Sequence, residues 1–283
     1  MSGGAMFAYD FMRTAFLAGG VVAIVAGSVG FFLVLRNLTF AGHALSHIGF
    51  AGATGSVLLG ISAFWGLLAF TLAAAVAMGL LGDRLRQRDV AVGIVLALAL
   101  GLGVLFLYLY TTSASEAMTI LFGNLLGVGL DTFWGLFALG LGALAALSVV
   151  SRPLLFATLA PELAEAKGVS PRLLSVLFLM IVAVAVAEAA QVVGVLLVFA
   201  LMVGPAAAAL RLAAGLRAGI MLSVVLALVE TWGGLALAYW TDWPTTFWIV
   251  LASCLVYFVS CLKQPGAGAA AAGAAGAPVA DPA

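Results

Sequence analysis

His43 and His47 are the only histidines of the chain, four residues apart in Gly42-His43-Ala44-Leu45-Ser46-His47-Ile48, within a stretch otherwise fit for a lipid bilayer. On a helix this spacing stacks both imidazoles on one face, where the pair could grip a metal ion. Ionisable groups in hydrocarbon are costly and usually face a bundle interior or a water-filled path. Neutral imidazole ligates zinc and other borderline metals well, provided its second nitrogen finds a partner. The plainer alternative is two histidines hydrogen-bonded to neighbouring helices. An intramembrane zinc protease is disfavoured, because its His-Glu-x-x-His pattern needs a glutamate as general base and Ala44 stands there. Two further ionisable groups fall in apolar runs: Glu188, and Glu230 within Val224-Val225-Leu226-Ala227-Leu228-Val229-Glu230-Thr231-Trp232. Either could be a metal stepping-stone or a proton-linked group. For Glu188, near the outer end of its run, interfacial exposure is expected; for Glu230, a buried hydrogen bond and a path-lining role both remain open.

The elements that carry these residues follow from composition. With 65% hydrophobic and 8% charged residues and a mean hydropathy of +1.28, 283 residues cannot hide their apolar surface in a soluble core. The apolar runs recur at about twenty residues, the length of a helix crossing the hydrocarbon core, and they lack the polar/apolar alternation of a β-barrel. The expected fold is all-α, a polytopic membrane helix bundle of eight or nine transmembrane helices. Nine candidate spans are read at 14–35, 38–59, 62–81, 90–110, 131–151, 171–189, 191–210, 219–240 and 245–262. Met1 to Asp10 lacks a basic leader and the run from Ala15 to Leu35 has full spanning length, so the first helix is expected to stay in the protein. Equal numbers of acidic and basic residues, eleven each, give no basic patch for nucleic acid. Cys254 and Cys261 lie seven residues apart in one run, about 10 Å along a helix, too far for a disulfide.

Charge placement sets the topology. The run Asp83-Arg84-Leu85-Arg86-Gln87-Arg88-Asp89 marks a cytoplasmic loop. Threading from it puts Arg36, Arg84, Arg86, Arg88, Arg152, Lys167, Arg172, Arg211, Arg217 and Lys263 on the cytoplasmic side, with only Arg13 outside. The C-terminus is then cytoplasmic. Residues 1–263 form the membrane domain, and 264–283, rich in Ala, Gly and Pro, read as a disordered tail. Thr111 to Leu130 reads as an external loop with a short or re-entrant helix. Gly49, Gly52 and Gly55 clear one flank of span two for close helix packing. Gly204-Pro205 is expected to break or kink span seven, and Tyr239-Trp240-Thr241-Asp242-Trp243-Pro244 fits an outer interface belt with no ligand role.

Between spans five and six, Pro161-Glu162-Leu163-Ala164-Glu165-Ala166-Lys167-Gly168 reads as one short helix: Pro161 suits a first turn, Glu162 and Glu165 suit its positive end, and Gly168 stops it before Pro171. It is either an ordinary connection or a docking helix for a cytoplasmic partner.

Several pieces occur in a particular order: Phe11-Met12-Arg13, Phe32-Leu33-Val34-Leu35-Arg36, Gly42-His43-Ala44-Leu45-Ser46-His47, Leu121-Phe122-Gly123-Asn124, Pro161-Glu162-Leu163-Ala164 with Gly168-Val169, and Val193-Gly194-Val195-Leu196-Leu197-Val198 with Gly204-Pro205-Ala206-Ala207. The ordered set, from Phe11 to Leu262, resembles the zinc/manganese/iron class of ABC-transporter permeases. That resemblance implies import of a divalent transition metal across the bacterial inner (plasma) membrane by a dimer of permease subunits, a homodimer or a pair with a second permease chain. It implies two cytoplasmic ATP-binding subunits and a periplasmic or surface metal-binding protein. It also implies that Pro161, Glu162, Leu163, Ala164, Glu165 and Gly168 belong to the coupling helix seated on the ATPase. The chain itself has no Gly-x-x-x-x-Gly-Lys-Ser/Thr loop, so it is read as a transport subunit rather than an enzyme, with ATP hydrolysed by its partner. No permanently bound cofactor is expected.

The family commonly carries Asp where this chain has His43 and retains His at the position of His47. Exchanging a carboxylate oxygen for an imidazole nitrogen disfavours hard manganese relative to zinc, cobalt or nickel, so zinc is the expected cargo, with manganese or iron as the alternatives. If span two begins near Leu38, His43 lies about 8 Å and His47 about 14 Å from its cytoplasmic end. A transport site must release its ion, so the two ligands are read as a transient shell completed by water or by the second subunit, with Glu230 a possible pathway residue. The rival transporter reading is a secondary carrier driven by an ion gradient through Glu188 and Glu230.

Overall fold

The computed structural model describes residues 6–81, 88–109, 120–168 and 170–262. Their long helices are α1 (Asp10–Leu35), α2 (Thr39–Leu58), α3 (Ala63–Leu81), α4 (Arg88–Leu109), α5 (Leu130–Leu159), α7 (Pro171–Val193), α8 (Val195–Leu212), α9 (Leu216–Thr241) and α10 (Thr245–Leu262), with the short α6 (Pro161–Ala166) between α5 and α7. No strand occurs among the described residues. Eight of these helices are long and apolar enough to cross a membrane. The remaining long one is α2, whose apolar character is diluted by His43, His47 and four glycines.

Two helices form the centre. In α1 78% and in α7 72% of the spanning window is buried, against 17% in α4 and α10, so the bundle is built around α1 and α7 with an outward-facing rim. Helix α1 packs on α5, α7, α8 and α9, while α2 packs on α3, α4, α7 and α8. No apolar driving force separates helix from lipid, so close backbone approach and interhelical hydrogen bonds do the joining. Ser223 of α9 donates to the Gly27 carbonyl of α1 at 2.7 Å, and Trp232 Nε1 donates to Phe16 O at 3.0 Å.

The glycine flank of α2 faces its own chain. Gly52 meets the Gly66 carbonyl of α3, Gly49 meets Leu67 and Thr71, and Gly55 meets the Phe106 ring of α4. At the far end, Gly123 and Gly194 lie backbone against backbone, at φ of 75° and 84°. A Cβ on either would collide with the other segment. This contact pins the segment carrying Asn124, which makes a single 3-10 turn at Leu125–Gly127, against the α7–α8 junction. The remainder of the 111–130 stretch, residues 111–119, lies outside the described residues, as do 82–87 and 264–283.

Three expectations change. Helix α8 runs unbroken through Pro205, and the turn sits instead at Gly194, directly between α7 and α8. Gly204 has a packing reason, because Ser253 of α10 occupies the space a side chain would need. Helix α5 continues past Arg152 and Pro153 to Leu159, eight residues beyond the expected end at 151. Helix α7 likewise continues to Val193, so Glu188 is enclosed rather than interfacial. Cys254 and Cys261 are both free and exposed.

Candidate functional site

The i, i+4 spacing places His43 and His47 on one stripe of α2 with ring centroids 4.6 Å apart, edge to face. Both are half-buried, while their neighbours Ala44, Leu45 and Ser46 are buried. Phe40, His43 and His47 therefore form the open face of α2, opposite the glycines that seat it on α3. The Phe199 ring of α8 closes one side of His43 at 4.9 Å. Nδ1 of His43 is buried without a hydrogen-bond partner, so the histidine is not spent on bracing a neighbouring helix through that atom. No group of three or more His, Cys, Asp or Glu side chains gathers among the described residues, so the two imidazoles are at most half of a tetrahedral shell.

The pair lies deeper than counting from Leu38 implied. Gly30 of α1 abuts the Met202 carbonyl of α8. Gly30 precedes the end of α1 by five residues and Met202 precedes the end of α8 by ten, so the α1–α2 turn is recessed by about 7 Å from the end of α8. Phe199, against His43, precedes that end by thirteen residues, about 20 Å. His43 as well as His47 thus belongs to the middle of the bundle. Arg36 holds the recessed turn: its guanidinium donates to Ser175 Oγ at 3.2 Å and lies 5.6 Å over the Phe178 ring, both on α7.

The two carboxylates are not part of this stripe. Glu188, 0% exposed, faces Gly140 of α5 and Val25 of α1. Glu230, 1% exposed, lies on α9 beside Ser253 of α10. The single hydroxyl proton of Ser253 is donated to the Ala200 carbonyl at 3.0 Å, and neither carboxyl has a hydrogen-bond partner. Neither side chain meets the histidines.

Helix α6 forms as its residues dictate. Pro161 opens it, Lys167 and Gly168 close it through backbone hydrogen bonds to Leu163, Ala164 and Glu165, and Gly168 turns out at φ of 79°. Ala164 is fully buried, whereas Glu162, Glu165 and the 61% exposed Leu163 face outward. Ser170 then caps α7 by accepting from Leu173 N. At the opposite end, a cavity of about 610 Å³ opens between Met12, Asn124, Val193 and Trp243. Its aromatic rim is ordered by Trp248, whose ring stacks on Trp243 at 5.6 Å and whose Nε1 donates to Thr241.

Phe199 and Ser175 were not singled out from sequence. A phenylalanine or a serine in an apolar helix carries no signal of its own; only the fold brings them to His43 and Arg36.

Known proteins resemble this chain in sequence and in fold. The chain is 31% identical to the manganese import system permease protein ScaB of Streptococcus gordonii, over 91% of this chain and 92% of that one. It is 26% identical to the high-affinity zinc uptake system membrane protein ZnuB of Haemophilus influenzae, over 90% and 98%. Among solved structures, PsaBC from Streptococcus pneumoniae in complex with Fab matches with a TM-score of 0.80 at 28% identity, covering 91% of this chain and 93% of that one. The model of the ABC 3 transport family matches residues 8–264, and the chain therefore belongs to that family of transporter membrane subunits.

Proposed function

We propose that this chain is the permease subunit of an ATP-driven importer of a divalent transition metal, with His43 and His47 as its transient transport site and α6 as its coupling helix. The observation that carries the site is the orphaned, buried Nδ1 of His43 beside His47 on the one open face of α2. Relatives named for manganese and for zinc both match the chain, so the cargo has to be argued from the donors. Two nitrogen ligands and no carboxylate on that face favour zinc over manganese. The remaining ligands would come from water or from a second permease subunit across the open stripe.

Helix α6 supports docking because it exposes the apolar Leu163 together with the carboxylates of Glu162 and Glu165, while the buried Ala164 anchors it to the bundle. Cytoplasmic ATP-binding subunits would take that face, and an extracytoplasmic metal-binding protein would deliver cargo at the other end. The gradient-driven alternative has less support, since Glu188 and Glu230 lie among different helices and neither adjoins the histidines.

The test is reconstitution with the cognate ATPase and a measurement of metal-stimulated ATP hydrolysis and uptake. Zinc should stimulate more than manganese. Uptake driven by an ion gradient with no ATPase present would sink the reading, and unchanged coupling after disruption of Glu162–Gly168 would sink the role of α6.

A further inference from the structure

His43 is gripped from two sides. The His47 ring stands 4.6 Å from it on the same helix and the Phe199 ring 4.9 Å from it on α8, both edge to face. The second contact crosses a seam in the bundle. Helix α2 packs chiefly on α3 and α4, whereas α8 packs chiefly on α1, α9 and α10. Gly30 of α1 abuts the carbonyl of Met202, three residues along α8 from Phe199, which keys those two helices together. Phe199 therefore belongs to one packed group of helices and His43 to the other. Phe199 is only half-buried, so its ring is not spent on filling the core of its own group.

The orientation imposed on His43 is unfavourable for ligation. Nδ1 is its buried nitrogen and has no hydrogen-bond partner, which leaves Nε2 as the one an ion can reach. A neutral imidazole that ligates through Nε2 carries its proton on Nδ1, and that N–H needs an acceptor. Here it would be buried without one, at the desolvation cost of an unmade hydrogen bond. His47 has no such defect, since neither of its nitrogens is a buried orphan.

We infer that Phe199 is a release clamp: packed on His43, it holds that imidazole as a poor ligand, and its withdrawal with α8 frees the ring to turn Nδ1 toward an acceptor or toward the ion beside His47. The structure holds the site in its low-affinity form, with His47 as the stronger ligand. The inference rests on the reading of His43 and His47 as the transport site, and it adds the positioning residue that sets the affinity of that site.

The test is equilibrium dialysis of radioactive zinc against the full chain in complex with its ATPase, free of nucleotide, alongside zinc uptake in proteoliposomes. Phe199→Ala should bind zinc about tenfold more tightly than wild type, the lower range of what an unpartnered buried N–H costs. It should also take up zinc more slowly, because release is delayed. Phe199→Leu, which keeps bulk but not the ring, should lie between the two. Because Phe199 is half-buried, neither substitution empties a closed core site. Adding His43→Ala to Phe199→Ala should abolish the tightening. A side chain that only supports the fold would weaken binding or leave it alone, so unchanged or weaker zinc binding by both Phe199 variants overturns the clamp. Tightening that survives the loss of His43 overturns it too. Failure of the underlying transport-site reading looks different: His43→Ala and His47→Ala would then each leave zinc binding and uptake at the wild-type level.

Discussion

At the scale of single residues, chemistry is concentrated on one turn of α2. If His47 ligates the passing ion, His47→Ala should reduce uptake by at least about tenfold while the permease still assembles with its ATPase, as size-exclusion would show. His43→Asp restores an oxygen donor, so the ratio of manganese-stimulated to zinc-stimulated ATPase activity should rise by about an order of magnitude. An unchanged ratio would mean that His43 does not touch cargo. Glu188 is a different case: a carboxyl enclosed among Gly140, Val25 and its own helix, with no partner for either oxygen. Glu188→Gln keeps the shape and removes the ionisable group, so thermal stability should hold or rise while uptake is retained. Loss of uptake in a well-folded Glu188→Gln protein would return this residue to the pathway.

At the scale of elements, glycines decide which helices meet. Gly52 against the Gly66 carbonyl leaves no room for a side chain, so Gly52→Val should destabilise the α2–α3 pair by about 1–3 kcal/mol in thermal denaturation of the solubilised protein. Gly101 faces open space, and Gly101→Ala should be neutral or slightly stabilising in the same assay. The Gly123–Gly194 contact combines positive φ with backbone contact, so alanine at either position should cost at least about 1–3 kcal/mol. Most helices were legible in advance, because twenty apolar residues in a row admit few other structures. Their ends were less so. The run 171–193 gave no polar stop at Glu188, since one carboxyl buried among apolar residues looks the same in sequence as one at the interface. Of the break or kink expected at Gly204-Pro205, the break is absent, because proline is tolerated within a membrane helix when neighbours such as α10 support it.

At the scale of the whole molecule, α1 and α7 form a buried axis, with an arginine-bearing end that also carries α6 and an aromatic end that carries Asn124 and Trp243. This asymmetry predicts orientation in the membrane. With Cys254 and Cys261 replaced by serine, a cysteine introduced at Arg13 should react with an impermeant maleimide from outside intact cells, and one at Lys263 only after the cytoplasmic side is opened. The reverse labelling would invert the topology and move α6 away from any ATPase.

Hydropathy and charge, which are sums over neighbouring residues, determined by themselves that the chain crosses a membrane many times, that all its arginines but Arg13 are expected on one side, and that its two histidines share a helix face. The order of short motifs pointed to the permease family. Only the tertiary structure decided how deep those histidines lie, because their depth depends on the recessed α1–α2 turn, which Gly30 against α8 and Arg36 against α7 set from far along the chain. It likewise decided that the glycine flank of α2 serves α3 and α4, that Phe199 walls His43, and that Glu188 and Glu230 lie apart from the histidine stripe. Each of these is a contact between residues distant in sequence, and local pattern carries no record of which surfaces will meet.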